Sequence, residues 1–153
     1  MCSSDLAVLD AAGRGVEVRI LTNSYETVQD VGIAAGYFIS LHYLAPLLAA
    51  GVRVFEWNGT ASKDQPRPYL HAKEFIIDGE LAVVGSFNLS VRSCFIESED
   101  LVGVFDPEFA AGMERRFTRL LTETTEIKPD YLERQRENFR GKIALARYLE
   151  LLY

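Results

Sequence analysis

Two side chains, His71 and Lys73, stand two residues apart and could carry chemistry together. An imidazole can attack an electrophile or shuttle a proton near neutral pH. An ammonium beside it supplies fixed positive charge. Both lie in residues 69–77, which read as a strand, and side chains two apart on a strand leave the same sheet face. Asn88 follows a returning strand and can bring an amide donor to the same end of the sheet. Gly85 lets the backbone bend there without steric cost. Ser86 can bind phosphate or only cap the loop, and the residues alone leave both roles open. Asp78 has the opposite parity to His71 and Lys73, so its expected role is to fix the turn. Glu99 can accept a hydrogen bond from the second ring nitrogen of His71 and so set its tautomer.

These residues need elements to hold them. Residues 5–12 have apolar positions on one helical face, and Gly13 and Gly15 stop that helix. Residues 16–22 alternate apolar and polar and predict a strand. Residues 23–29 read as a polar loop. Over 31–50, Tyr37, Leu41, Leu44 and Leu48 recur at helical spacing, with Pro46 expected to kink the helix or begin its last turn. A second strand follows over 52–57 and a polar loop over 58–68. Asp78-Gly79 is a strong hairpin signal between strands over 69–77 and 81–85. Residues 86–98 look irregular, and 100–105 predict a further strand. Asp106-Pro107 opens a helix with Phe109, Met113, Phe117 and Leu121 on its apolar side. Residues 122–130 are polar, and 131–153 predict one or two amphipathic helices. The mixture predicts an α/β fold with a mixed β-sheet flanked by helices.

The pattern His-x-Lys-x4-Asp-x6-Gly-Ser-x-Asn, formed by His71, Lys73, Asp78, Gly85, Ser86 and Asn88, resembles the phospholipase D superfamily. The likeness extends to Arg92-Ser93 and Glu99. More narrowly, residues 18–24 (VRILTNS), Tyr37, residues 50–56 (AGVRVFE) and residues 70–93 are similar to the carboxy-terminal half of bacterial cardiolipin synthases. The likeness covers roughly residues 6 to 121. Glu97 departs from it, standing where those synthases commonly carry asparagine.

The resemblance implies an α/β/α sandwich and a phosphodiester exchange that uses neither metal nor cofactor. Two histidines from two related motifs face each other. One forms a phosphohistidine, and the other protonates the leaving oxygen and then activates the incoming alcohol or water. Lysines and asparagines hold the nonbridging oxygens. On this likeness His71, Lys73, Asn88 and Glu99 are catalytic, and Asp78 and Ser86 support them. His71 takes the acid–base role, with nucleophile as the alternative.

Only one such motif is present, because His42 lacks a lysine two residues later. The other half-site must come from a second half-domain in the same protein or from a second copy of this chain. Only fifteen residues precede the first predicted strand, whereas family members generally have another strand and most of a helix before it. The expectation is therefore a chain truncated at its amino-terminal side. Residues 1–125 would be the catalytic half-domain with one His-Lys-Asp motif, and 126–153 a helical extension.

The 153-residue length and 48% hydrophobic content suit one globular domain and exclude a disordered chain. No apolar run is long enough to span a membrane. The expected location is cytoplasmic or peripheral to the inner membrane. Cys2 and Cys94 make neither a disulfide framework nor a zinc spacing, and Cys94 reads as buried and inert. The expected substrate is a phospholipid such as phosphatidylglycerol, met at a membrane surface. The alternative is a metal-independent endonuclease working as a homodimer. A net charge of −6 does not favour the nucleic-acid partner which that alternative needs.

Overall fold

Parallel neighbours need a crossover, and the apolar stretch after Asn23 supplies one. The computed structural model describes residues 3–29, 34–60 and 67–148. In chain order the elements are α1 (Ser3–Gly13), β1 (Arg19–Asn23), α2 (Tyr25–Gln29), α3 (Ala34–Ala49), β2 (Arg53–Trp57), β3 (Lys73–Ile77), β4 (Leu81–Gly85), α4 (Val91–Phe95), β5 (Leu101–Phe105), α5 (Pro107–Leu121), β6 (Thr124–Glu126), α6 (Pro129–Asn138) and α7 (Arg140–Tyr148).

The strands form two three-stranded ladders. In the first, β1 runs parallel to β2, and β6 pairs antiparallel on β2's other side. The second is the antiparallel order β3-β4-β5. Helix α5 packs against strands of both ladders. The expected mixed sheet flanked by helices is thus present, drawn as two ladders.

The core lies on one side of the first ladder. Leu41 and Val54 are fully buried there with Tyr37, Phe38, Leu44, Leu47, Ile127 and Leu132. The buried stripe of α3 therefore includes Phe38 and Leu47, while Leu48 is only half-buried. Pro46 sits in the last turn of α3, where its missing N–H removes one helical hydrogen bond. The first residues of the expected helix over 31–50 lie outside the described residues. Tyr25, Tyr37, Phe38 and Phe139 form an aromatic cluster that joins α6–α7 to α3, with ring centroids 4.7–6.2 Å apart.

Several local expectations change. The polar stretch 23–29 contains the short helix α2, and 122–130 contains β6. β6 is held by pairing with β2, and α2 by the few side chains, Val28 and Tyr25, that it turns into the core. Irregular 86–98 contains α4, whose cap Ser90 accepts a hydrogen bond from the Ser93 N–H. β1 starts at Arg19, three residues later than expected, and Val16 is exposed. Asp106 caps α5 as expected, accepting from the Glu108 and Phe109 N–H groups. The residue α5 buries fully is Ala110, not Phe109. Short side chains let helix and sheet approach closely, and Ala82 on β4 is equally buried. Cys94 is half-buried rather than buried.

One charged residue enters this interior. Glu56 on β2 is 1% exposed. Tyr131 of α6 donates to its Oε2 at 2.7 Å. The Tyr37 hydroxyl faces the same carboxylate without a well-formed hydrogen bond, and Oε1 has no hydrogen-bond partner among the described residues. Burial is the main cause that pushes the Glu56 carboxyl up to about 6 from 4.5, against the opposing hydrogen bond of Tyr131 and the nearby Tyr37 hydroxyl. A raised carboxyl binds its proton more tightly in the folded state. Stability therefore falls as pH rises from about 4.5 to about 6 and stays lower above that. Glu56→Gln should raise the unfolding free energy near neutral pH by on the order of 2 kcal/mol, read as a higher urea midpoint, and leave it nearly unchanged in acid. Equal midpoints at neutral pH would show that the carboxylate is accommodated without cost.

Candidate active site

The site is built from a hairpin. Asp78 and Gly79 both have positive φ, 53° and 70°, as a type I′ turn requires, and Glu80 N–H closes the turn on Ile77 O at 3.1 Å. That turn sets the register Ile77↔Leu81 through Lys73↔Gly85. The six-residue gap between Asp78 and Gly85 is thus the return strand that brings Gly85 opposite Lys73. Asp78 itself lies at the far end of β3, roughly 17 Å of strand from Lys73.

On its other side β4 pairs with β5, placing Gly85 opposite Leu101. A Cβ on Gly85 would collide with the backbone carbonyl oxygen of Asp100. With that approach open, Ser86 N–H donates to Asp100 O at 3.0 Å, and Asp100 N–H donates to Ser86 Oγ at 3.1 Å. Ser86 Oγ in turn donates a short hydrogen bond to Oε2 of Glu99.

Lys73, Ser86 and Glu99 therefore meet at one end of the second ladder. The Ser86 hydroxyl, then the Ser93 hydroxyl, and last the Lys73 charge hold the Glu99 carboxyl below the usual glutamate range. Partial burial draws the Lys73 ammonium below the usual lysine range, and Glu99 opposes that shift. Lys73 Nζ also donates to the backbone carbonyl of His71 at 2.8 Å.

His71 differs from expectation in one respect. β3 begins at Lys73, so His71 lies in the irregular segment before it. Strand parity therefore does not set the direction of its ring. The ring is exposed and meets Tyr69 edge-on, with centroids 5.8 Å apart. Asn88 sits on the loop between β4 and α4. Its N–H donates to Ser93 Oγ at 3.2 Å and its carbonyl accepts from Ser90 N–H at 2.8 Å, which leaves the carboxamide exposed on a pinned backbone. Arg92 pairs with Glu97 at 2.6 Å, so the residue that departs from the family pattern is tied to α4 beside this loop.

Two contributors fell within the likeness but were given no role by it. The carboxamide of Asn23 bonds the backbone of Leu70, immediately before His71, and Ser93 supports Asn88 from a buried position. The hydrophilic Asn23-Ser24 after a strand was the available signal for the first. Among the described residues no group of His, Cys, Asp or Glu side chains is arranged to hold a metal ion. No helix there is long and apolar enough to cross a membrane.

The fold and this lysine–serine–glutamate cluster define a phospholipase D-like domain. A family model described as cardiolipin synthase, PLD-like domain, matches residues 4–121, and the chain belongs to that family. It is 33% identical over 136 residues to cardiolipin synthase A of Cronobacter sakazakii, covering 88% of this chain and 23% of the relative. The corresponding protein of Escherichia coli O157:H7 is 32% identical over the same share. The chain thus spans about a quarter of the length of these curated relatives. Among solved structures, the phospholipase D family member Nuc from Salmonella typhimurium matches with a TM-score of 0.62 at 19% identity, over 81% of this chain and 72% of that one. Phosphatidylserine synthase from Haemophilus influenzae matches with a TM-score of 0.64 at 13% identity, over 98% of this chain and 38% of that one.

Ser86→Ala should release Glu99. Its carboxyl pKa then rises toward the ordinary glutamate value, which carbon-detected NMR titration reads directly. Because the folded value is depressed, Glu99 adds stability above its unfolded pKa and loses it as pH falls through the folded one. The variant should lose that contribution, and an unmoved Glu99 titration would mean that Ser86 does not hold it.

Proposed function

We propose that the chain is the carboxy-terminal catalytic half-domain, residues 1–125 with a helical extension over 126–153, of a phospholipase D-type phosphatidyltransferase. Its reaction would be the synthesis of cardiolipin from phosphatidylglycerol through a phosphohistidine. One observation carries this reading: a cation, a hydroxyl and a carboxylate meet next to the backbone of His71, itself exposed, on a chain of the cardiolipin synthase family.

The roles rest on the likeness to the family. A histidine of the other half attacks phosphorus, and the bond to the glycerol oxygen breaks. His71 donates its proton to that oxygen, and free glycerol leaves. A hydroxyl of a second phosphatidylglycerol then gives its proton to His71 and attacks the phosphohistidine, so that cardiolipin forms and the first histidine is regenerated. Lys73 and the exposed carboxamide of Asn88 hold the nonbridging oxygens. Glu99, held by Ser86 and Ser93, is the carboxylate assigned to orient the His71 ring through its second nitrogen. Asp78, at the far end of the hairpin, acts only by setting register.

The second ladder also supports a partner half. Arg116 of α5 reaches Glu74, so α5 covers the face that carries Glu74. The opposite face carries Lys73, Phe75, Ile77, Leu81, Leu101 and Phe105, by register. On it Ile77 is 48%, Leu101 50% and Phe105 84% exposed. A second half-domain of the same protein, or a second copy, seated there would cover apolar surface and face the site. The enzyme would then work as a peripheral protein at the membrane that holds its substrate.

Full-length protein in phosphatidylglycerol micelles tests the reading. His71→Ala should abolish cardiolipin formation, and Lys73→Met should lower kcat by about 10²–10³-fold, as loss of a charge-stabilising donor does. A chelator should leave the rate unchanged. Cardiolipin formed by His71→Ala at the wild-type rate would remove His71 from the mechanism. Metal-independent DNA nicking by a dimer of the chain, without lipid turnover, would establish the endonuclease alternative instead.

A further inference from the structure

The ladder that fixes Lys73 does not include His71. β3 starts at Lys73, and the residues leading into it are irregular. A proton-transferring imidazole has to be held within tenths of an ångström of its partner atom. Some other contact has to hold the backbone from which His71 projects.

That contact comes from the first ladder. Asn23 is the last residue of β1, in register with Trp57 at the end of β2. Its Nδ2 donates to Leu70 O at 2.8 Å, and Leu70 N–H donates to its Oδ1 at 2.7 Å. A carboxamide presents one donor edge and one acceptor edge, like a peptide group. Asn23 thus pairs with Leu70 as a neighbouring strand would, one residue before His71. Both bonds also determine which way round the carboxamide lies.

The neighbours of this pair are packed to keep it. Thr27 is fully buried and places its hydroxyl 3.3 Å from Asn23 Oδ1, although its single proton has a closer acceptor in Ser24 O at 2.9 Å. Arg67, three residues before Leu70, donates to the carbonyls of Asn58 and Gly59 at 3.3 and 3.2 Å. Gly59 has φ of 56°, and a Cβ there would stand 2.9 Å from Pro68 O. The segment before His71 is therefore laid across the ends of β1 and β2 by contacts at Arg67, Pro68 and Leu70.

We infer that Asn23 is the positioning residue for His71: its two-point bond to the Leu70 backbone sets where the imidazole stands relative to Lys73 and Glu99. No other side chain of its size offers the same pair of edges. Aspartate keeps an acceptor for Leu70 N–H but turns a second acceptor toward Leu70 O. Alanine offers neither. The inference rests on the acid–base reading of His71 for its catalytic consequence, but not for its structural one.

The experiment has two arms. Hydrogen exchange and ring ¹H–¹³C spectra of the chain read the clamp itself. In Asn23→Ala the Leu70 amide should exchange at least about tenfold faster, and the His71 ring signals should shift or broaden. Turnover of phosphatidylglycerol by the full-length protein reads the consequence. There kcat should fall about 10- to 100-fold while KM changes less than about twofold, because a misplaced group costs the transition state and not binding. Asn23→Asp should fall between wild type and Asn23→Ala in both arms, and it carries the same readouts if the alanine variant does not fold. Thr122→Ala, which removes a side-chain bond to the Arg119 carbonyl at 2.8 Å, should leave both arms unchanged. A Leu70 amide and His71 ring unaltered in the Asn23 variants would overturn the inference. So would wild-type kcat in an enzyme that turns over lipid. If the wild-type protein turns over no lipid, the functional reading fails, and the Leu70 and His71 signals still decide whether Asn23 holds the segment.

Discussion

The approach of the Asp100 carbonyl to Gly85 organises the site. A side chain at position 85 would push β5 away from the end of β4. Without one, Ser86 and Asp100 exchange two hydrogen bonds, and Glu99 falls within reach of the Ser86 hydroxyl. The same row of the ladder holds Lys73 opposite Gly85. One missing methyl group thus lets a cation, a hydroxyl and a carboxylate converge at a strand end. A glycine in a strand interior usually weakens it; here it marks a close backbone approach.

The two ladders are treated differently by their surroundings. β2 is buried along most of its length, with α3, α6 and α7 on the Val54 side and α5 packed nearby. That environment is dry enough to raise the Glu56 carboxyl, even with Tyr131 bonded to it. The second ladder is covered by α5 on one face and carries exposed aliphatic and aromatic side chains on the other. Lys73 shares that second face by register. The exposed Leu101 lies in the same row as Lys73, and Ile77 and Phe105 lie in the row at the other end of that face.

Charge acts locally in this protein. The chain as a whole is acidic, with a net charge of −6. At the site, Lys73 and Glu99 shift each other toward their charged forms, and the hydroxyls of Ser86 and Ser93 favour the carboxylate. An anion entering there meets one ammonium and exposed donors, not a broad basic field.

The hairpin behind the site was legible in the residues because their spacing is itself geometric. The Asp78-Gly79 turn closes a hairpin of definite length, so the interval to Gly85, Ser86 and Asn88 encodes which residues face Lys73. Asp106-Pro107 likewise announced its helix, since a cap is a local interaction. What depended on long-range pairing was not legible. β6 is a polar three-residue strand that exists because β2 offers it an edge. α2 is short and polar and sits where β1 ends. His71 looked like a strand residue because its neighbours are strand-like, yet the ladder stops at Lys73. Its backbone is held instead by Asn23, 47 residues from Leu70. Local sequence determined the turn, the caps and the set of reactive side chains, since each needs only near neighbours. Tertiary structure decided which face is uncovered and what holds the histidine, because those depend on surfaces that meet only after the chain has folded.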